Sequence, residues 1–426
     1  MFQPPIVTGD RITVDVELEP NPTTDETPAA PADPAAARPS HVRRRRVFYI
    51  GGFDPRSVGY YHGLYADHGQ RQAALSGAVF EIGPRRNQGR RIASWAVTAT
   101  YDGRTTETDY RFLRWDDLVR ARWKQGELKQ LYEAWRCFLT FLRTGVLGMM
   151  ILKGPATAAS GAFPVLVTTA YLAAFSAIVI TLSAGLASWA HRMDLPGWAA
   201  IVGLVLPLGL FAWLRAGWRW IDQQVAASWL NRCFTYMMDN AQDASEAEAR
   251  CDEFADIILA TAGDESIDEV LLIGHSQGSL HAVRTAARIL KRDPSFGRGR
   301  TRFSLLTLGQ PLAVYTPLPE DKNLKQNLVE LAASDAVVWL DETSPGDPVS
   351  SCGVDPLHGL DIPGRLWPIR KSPRFHVLMT KANFRRIKLK PLDFHFQYLM
   401  AGDILGAYDY FRLTAGPDFL REPVEA

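Results

Sequence analysis

Residues 274–278 read Gly-His-Ser-Gln-Gly, a pattern whose residue types and spacing point to nucleophilic catalysis. The apolar run 270–273 before it predicts a buried strand, and apolar residues recur at helical spacing over 280–290 after it. A serine on a tight turn from strand to helix is strained, with its hydroxyl exposed, while the flanking glycines let strand and helix pass closely. The pattern therefore predicts Ser276 as a nucleophile. The alternative is a Ser/Gly-rich turn without chemistry.

This strand, turn and helix resemble the nucleophile region of the α/β-hydrolase superfamily, most closely its lipase- and esterase-like serine members. The resemblance covers roughly residues 47–101 and 244–412. It implies an α/β fold with a mostly parallel sheet flanked by helices, and a triad in the chain order nucleophile, acid, histidine. The histidine accepts the serine proton, and the acid orients the imidazole and stabilises its charged form.

The resemblance implies that the acid lies in a loop after a later strand. Residues 336–340 predict such a strand, and the loop that follows carries Asp347 before Pro-Val, as at the acid position of the family. Asp347 is therefore the expected acid. Gly-Asp-Pro is also an ordinary turn sequence, and Asp341 and Glu342 are the alternatives.

The expected base is His395, a late histidine followed at short range by tyrosine and by a predicted helix, similar to the ending of many lipase-like hydrolases. His376 lies in a segment that alternates like a strand, and it is the alternative base. His358 lies in a Gly/Pro-rich loop. His275, inside the pentapeptide, is expected to pack rather than to act as base.

The resemblance also implies two backbone donors for the oxyanion of the tetrahedral intermediate. One is the N–H of Gln277, the residue after the nucleophile. The other should follow an earlier strand, and residues 47–50 predict a strand that runs into Gly-Gly-Phe-Asp-Pro. Phe53 or Gly52 is the expected second donor. This loop departs from the His-Gly-Gly-Gly version of the motif, and a plain glycine turn is the alternative.

These side chains must be positioned by two chain segments separated by an apolar region. The predicted elements are strand 47–50, helix 57–76, strand 94–100, helices 116–135, 217–242 and 244–262, and strands 270–273, 303–308 and 336–340. The predicted division of the chain is a tail at 1–46, the first part of the hydrolase domain at 47–135, a membrane region at 136–216 and the second part of the domain at 217–426.

Composition limits the remaining possibilities. The chain has 426 residues, 47% of them hydrophobic and 22% charged, and its net charge of +1 gives no argument for a nucleic-acid partner. Its four cysteines are scattered, which suggests neither a zinc site nor a disulfide framework and fits a reducing compartment. No cofactor or metal is expected, and no protein partner can be named.

The N-terminal segment is predicted to be a disordered tail. Residues 20–40 are rich in Pro, Ala, Thr and Asp, and no apolar core of a signal peptide follows the first methionine. Residues 11–18 alternate and predict an additional edge strand. The four arginines at 43–46 form either a solvated charge cluster or a patch for anionic lipid headgroups.

A transmembrane hairpin is predicted between the two parts of the domain. No charged residue occurs over 154–190 or over 195–214, and each run is long enough to cross the ~30 Å hydrocarbon core of a bilayer. The predicted spans are about 163–186 and 195–214. The alternative is a buried helical lid of a soluble hydrolase. Residues 137–152 are shorter and contain Arg143, so they predict an interfacial or connecting helix.

The charges that flank the spans predict the orientation. Basic residues cluster before the first span and after the second, whereas the turn between them has only Arg192. The positive-inside rule then places both termini and the domain on the cytoplasmic side of the inner membrane. The two predicted oxyanion donors flank the apolar region, so the number of spans must be even.

The expected function is that of a membrane-anchored serine hydrolase. It would cleave carboxylic esters, of lipids or of other acyl compounds, through an acyl-enzyme at Ser276. One alternative is an acyltransferase that uses the same triad. Another is a non-catalytic membrane scaffold with a hydrolase-like domain, because a fold alone does not prove activity.

Overall fold

A computed structural model of the chain describes residues 39–124, 127–194, 226–318 and 322–420, together with 209–224 except for 211, 214 and 221. Within these residues the chain has an α/β fold built on a nine-stranded sheet. The predicted edge strand at 11–18 and most of the predicted tail lie outside the described residues.

The first part of the chain contributes five strands and five helices before residue 195. They are β1 (Arg44–Ile50), α1 (Val58–Ser76), β2 (Val79–Ile82), β3 (Arg86–Gln88), β4 (Ile92–Tyr101), β5 (Arg104–Leu113), α2 (Asp116–Trp123), α3 (Glu127–Arg143), α4 (Val146–Lys153) and α5 (Pro155–Arg192).

The second part alternates helices and strands and then ends in short helices. Its elements are α6 (Ala227–Gln242), α7 (Ser245–Leu259), β6 (Glu269–His275), α8 (Gly278–Arg292), β7 (Arg302–Leu308), α9 (Leu312–Tyr315), α10 (Lys322–Ala333), β8 (Val337–Glu342), β9 (Ile369–Lys371), α11 (Phe375–Leu378), α12 (Lys381–Ile387), α13 (Pro391–Phe396), a 3-10 turn (Gln397–Leu399) and α14 (Tyr410–Ala415).

The sheet is mixed, with the order β2-β4-β5-β1-β6-β7-β8-β9 and with β3 also paired to β4. Strands β5, β1, β6, β7, β8 and β9 are parallel neighbours, and β2, β3, β4 and β5 form an antiparallel arm. The mostly parallel sheet expected from the sequence is therefore not confirmed. The antiparallel arm arises from a hairpin in which Asp102 and Gly103 both have positive φ, the conformation that an Asp-Gly turn adopts.

Strand β1 begins at Arg44, three residues before the predicted start, because one of the four arginines is part of the core. The Arg45 side chain is fully buried, and its Nε donates to Glu269 Oε2 at 2.7 Å. Its other nitrogens donate to the carbonyls of Gly416 and Asp418. Arg45 is thus neither a solvated charge nor a lipid contact, since its paired carboxylate and two carbonyls offset the cost of burial.

The strands on either side of the apolar region are neighbours in the sheet. Strand β1 precedes the region and pairs in parallel with β6, which follows it, so that Ile50 aligns with Gly274. The ends of these two strands therefore meet at one edge of the sheet. The two chain segments that flank the apolar region consequently belong to one folded body.

Helix α5 is a long, unbroken apolar helix. Its segment Ala158–Arg192 is long and apolar enough to cross a membrane, and only 6% of its most apolar window is buried, unlike the core helix of a soluble protein. The predicted first span, 163–186, lies within it. Residues 195–208 of the predicted second span lie outside the described residues, so a two-helix hairpin is not shown.

Two helices, α3 and α4, replace the single helix expected over 137–152, with a bend of 76° between Leu131–Arg143 and Val146–Lys153.

Candidate active site

Ser276 lies on a strained turn between β6 and α8. Its φ is +56°, a left-handed conformation that is uncommon for a residue with a side chain. Its N–H donates to the carbonyl of Leu308 at 2.8 Å, and its carbonyl accepts from Ser279 at 3.0 Å. These two hydrogen bonds tie the turn to β7 and to the start of α8, so the strained geometry is held from both sides.

The glycines of the pentapeptide are required by close backbone approaches. A Cβ on Gly274 would lie 2.5 Å from Ser279 Cα, and one on Gly278 would collide with the carbonyl of Ile50. Gly274 thus lets helix α8 pass over the end of β6, and Gly278 lets it pass over the end of β1. Any side chain at these positions would push the helix off the sheet and move Ser276 with it.

His395 and Asp347 form a buried hydrogen-bonded pair. His395 Nδ1 lies 2.8 Å from Asp347 Oδ2, and both side chains are almost completely buried. The second carboxylate oxygen, Oδ1, accepts the N–H of Val349 at 2.9 Å. Both carboxylate oxygens are therefore used, one to orient the imidazole and one to fix the turn that carries the acid.

The edge of the His395 ring between its two nitrogens lies beside the end of β7. A Cβ on Gly309, which follows Leu308, would be 3.0 Å from His395 Cε1. His395 Nε2 is buried and makes no hydrogen bond within the described part of the chain. Ser276 and His395 line the same cavity. His395 thus has one nitrogen bound to Asp347 and the other without a partner among the described residues, and its side chain shares a cavity with Ser276.

The alternative acids make no hydrogen bond to His395 within the described residues. Asp341 is fully buried and accepts from Thr307 and Gln310, and burial raises its pKa to about 6. Burial and the neighbouring Asp341 charge raise the pKa of Glu342 to about 8. Of the three acids considered, only Asp347 is hydrogen-bonded to a histidine in the described structure.

The other histidines also lie away from the position of a base. His376 is exposed in α11, not in a strand, and His358 is exposed beside Lys153 Nζ at 3.5 Å. His275 is buried and its Nε2 lies 3.1 Å from the carbonyl of His395. Burial, with a further contribution from His395, lowers the pKa of His275 well below its usual range, so His275 is a neutral packing residue.

The glycine loop after β1 lies directly against the serine. A Cβ on Gly52 would be 2.9 Å from Ser276 Cβ and 3.3 Å from Ser276 Oγ. The backbone N–H groups of Gln277 and Phe53 make no hydrogen bond to the residues that the structure describes. Gly52 brings the loop to the nucleophile, and the residues that follow Gly52 and Ser276 in the chain, Phe53 and Gln277, each have an unused N–H, which is the composition an oxyanion hole requires.

Residues that sequence reasoning missed hold this glycine loop in place. Asp54 is buried, its N–H donates to the carbonyl of Gly52 at 2.8 Å, and its Oδ2 accepts from Tyr61 at 2.6 Å. Arg56 pairs with the same carboxylate at 2.8 Å. The indole of Trp115 donates to the Gly51 carbonyl at 2.8 Å. The signal in the sequence was Asp-Pro-Arg one residue beyond the glycines, a turn in which aspartate binds the N–H two residues on.

A small cavity lies over Ser276 and is mostly apolar. Its volume is about 20 Å³, which is room for about one water molecule. Helix α6 covers it, because Trp229, Leu230 and Cys233 line one wall. Val349 and Phe396 line the other. The sequence predicted a helix here without assigning it a place at the site, and only packing brings it over the serine.

Comparison with family models, with curated proteins and with solved structures found no match for this chain. The described residues contain no group of three or more His, Cys, Asp or Glu arranged to hold a metal ion.

Proposed function

We propose that this protein is a membrane-anchored serine hydrolase of the α/β-hydrolase type that cleaves carboxylic ester bonds. The observation that carries the proposal is the His395–Asp347 hydrogen bond of 2.8 Å, on a histidine that has a buried, unpartnered Nε2 and that lines the same cavity as Ser276. A strained serine, a base with a free nitrogen and an orienting carboxylate are the components that activate a hydroxyl.

In the proposed reaction, Ser276 Oγ attacks the ester carbonyl as His395 Nε2 takes its proton. The carbonyl oxygen becomes an oxyanion and receives the N–H groups of Gln277 and Phe53. His395 then gives the proton to the leaving alkoxide, so that an alcohol departs and an acyl-serine remains. A water molecule, deprotonated by the same nitrogen, attacks the acyl-serine and releases the carboxylic acid and the free hydroxyl.

The substrate class is inferred from the walls of the site. Trp229, Leu230, Val349 and Phe396 are apolar, so the acyl part of the substrate is expected to be apolar as well. The proximity of α5 makes a lipid ester the favoured substrate within this class. The cavity is much smaller than an acyl chain, so substrate entry requires the covering side chains to move.

We also propose that the chain crosses the inner membrane twice, with the domain on the cytoplasmic side. Tyr171, on α5, stacks on Trp218 with ring centroids 4.6 Å apart. The chain extends away from the domain after Tyr171, and by Trp218 it is again beside Tyr171. This contact supports a return through the bilayer. The pairing of β1 with β6 favours the same even number of spans.

An active-site-directed fluorophosphonate tests the reaction class. We expect the purified full-length protein to be labelled covalently and the Ser276→Ala variant to remain unlabelled. His395→Ala should lose labelling, whereas His376→Ala, a change at an exposed histidine outside the cavity, should retain it. A folded wild-type protein that is not labelled would refute the proposal and favour a scaffold.

Product analysis separates hydrolysis from acyl transfer. A labelled ester is incubated with the protein and an excess of a competing alcohol. We expect free acid as the main product if water is the acceptor. A predominance of the new ester, lost in Ser276→Ala, would assign the protein to the acyltransferases.

Thiol labelling tests the orientation. Met193 is exposed at the end of α5, and Ser40 is exposed before β1. In intact cells we expect an impermeant maleimide to label Met193→Cys and to label Ser40→Cys only after permeabilisation. Labelling of both from outside, or of Ser40→Cys alone, would contradict the proposed topology.

A further inference from the structure

The base of helix α5, residues 158–169, is packed into the folded domain, whereas the rest of the helix is not. Val165 is 0% exposed and Ala158 is buried, but Ile180 is 66% exposed. Trp135 of α3 donates to Thr169 Oγ1 at 2.8 Å. The apolar helix is therefore continuous with the domain over its first turns and does not simply emerge from a flexible linker.

The first contact of this base is with the loop that carries the acid. The Ser160 hydroxyl donates a hydrogen bond to the carbonyl of Pro348. Pro348 lies between Asp347, which holds His395, and Val349, whose N–H holds the other oxygen of the same carboxylate. Fixing the Pro348 carbonyl therefore fixes the Pro348–Val349 peptide plane, which carries the N–H that binds Asp347 Oδ1.

A second contact supports the same loop from the chain just before α5. The carbonyl of Lys153 lies so close to Gly353 that a Cβ there would be 2.6 Å from it. Gly353 has a φ of +82°, so glycine is favoured at this position on both counts. Lys153 Nζ lies 3.5 Å from His358 Nδ1 in the same loop. The loop 343–358 is thus held at several points by residues 153–160.

One to two turns beyond Ser160, the base holds the helix that covers the serine. Asn231, in α6, is buried and its amide nitrogen lies 3.2 Å from Thr168 Oγ1 and 3.5 Å from the Pro164 carbonyl. Its neighbour Leu230 lines the cavity over Ser276. One helix segment therefore supports two walls of the site, the acid loop and the covering helix.

We infer that Ser160 is a positioning residue of the active site and that the apolar helix is part of the catalytic support rather than only an anchor. Ser160 acts through the Pro348 peptide on Asp347, and through Asp347 on His395. This inference rests on the proposed function for its catalytic consequence. Its structural content, that Ser160 orders the acid loop, does not depend on catalysis.

The test compares three variants of the full-length protein in detergent micelles, with a short-chain p-nitrophenyl ester as substrate. Ser160→Ala removes the hydroxyl, Ser160→Thr retains one, and Ser176→Ala is the same change at an exposed position of the same helix. Loss of one hydrogen bond that stabilises the transition state lowers the rate about 3- to 10-fold. We expect kcat of Ser160→Ala to fall by that factor with KM within about twofold, and Ser160→Thr and Ser176→Ala to stay near wild type.

Hydrogen–deuterium exchange of residues 344–351 gives a readout that does not need turnover. We expect Ser160→Ala to exchange faster in this segment, in particular at the Val349 N–H that binds Asp347, and Ser176→Ala to match wild type. Unchanged exchange and unchanged kcat in Ser160→Ala, or equal effects of the two alanine variants, would overturn the inference. A wild-type protein that is not labelled at Ser276 would refute the proposed function, and exchange would still decide the role of Ser160.

Discussion

Gly52 provides the sharpest test of the site, because its neighbour Gly51 serves as a matched control. A methyl group on Gly52 would be 2.9 Å from Ser276 Cβ, about 0.6 Å inside the ~3.5 Å at which carbon contacts become favourable. A methyl group on Gly51 would be 3.4 Å from the Phe112 ring and 3.6 Å from its next neighbours. The two variants add the same methyl group and differ only in what it contacts. In Gly52→Ala it contacts Ser276, and in Gly51→Ala it contacts the Phe112 ring.

The displacement caused by Gly52→Ala must fall on the glycine loop. Ser276 is held by hydrogen bonds to Leu308 and Ser279, and helix α8 rests on the Ile50 carbonyl at Gly278. The loop therefore moves and takes the Phe53 N–H with it. Loss of one oxyanion donor costs about 10²–10³ in rate, and a misplacement of about 1 Å costs about 10². We expect kcat/KM to fall by at least about 10²-fold, or about 2.7 kcal/mol.

The assay is the second-order rate constant of fluorophosphonate labelling, with ester hydrolysis measured in parallel. We expect Gly51→Ala to retain the wild-type rate within about threefold, because its methyl group meets only ordinary contacts. Thermal unfolding of both variants confirms that each is folded before rates are compared. If Gly52→Ala were labelled at the wild-type rate, or if both variants lost the same factor, the placement of the oxyanion loop against Ser276 would be wrong.

Three further predictions concern buried acids. Asp347→Asn should lower kcat on the order of 10⁴-fold because the imidazole loses its orienting acceptor, whereas Asp341→Asn should stay within about tenfold; equal losses in steady-state assays would contradict the assignment of the acid. Burial, reinforced by Asp341, raises the pKa of Glu342 to about 8, so the folded state holds a proton that the unfolded chain releases near pH 4.5. The contribution of Glu342 to stability should therefore fall as pH rises from 4.5 to 8, by at most about 5 kcal/mol, and urea unfolding of Glu342→Gln should show a shallower fall that keeps only the part due to other buried acids such as Asp341. Glu269→Gln should cost about 3–5 kcal/mol in the same assay, because it leaves the buried guanidinium of Arg45 without its carboxylate; a cost below about 1 kcal/mol would mean that this guanidinium is hydrated.

Most elements of the fold could be predicted from the sequence where periodicity and turn chemistry agree. Helix 57–76 is observed as Val58–Ser76, and strand 303–308 as Arg302–Leu308. The hairpin of β4 and β5 was missed beyond its first strand, although Asp102-Gly103 is a strong turn signal. Its second strand is rich in threonine and charged residues, so its alternation is weak as a hydrophobic pattern and its pairing is decided by β1.

The start of β1 could not be predicted, because a run of arginines gives no indication of a core position. Arg45 is buried only because Glu269, which is 224 residues away, supplies its partner. Burial of a charge depends on such a partner, and the partner is defined by the sheet order and not by local sequence. The position of α6 over Ser276 could not be predicted either, because that contact also depends on long-range packing and not on local sequence.

By itself, the sequence determined the strained turn at 274–278, since Gly274, Ser276 and Gly278 define it through local sterics. It also determined that α5 is apolar enough to cross a membrane, because that property is one of composition. Only the tertiary structure decided which of several acids and histidines meet. Asp347 and His395 are 48 residues apart, and their 2.8 Å contact depends on how the ends of β7 and β8 and the short helix α13 pack together. Such contacts arise from long-range packing, which residue types and spacing do not encode locally.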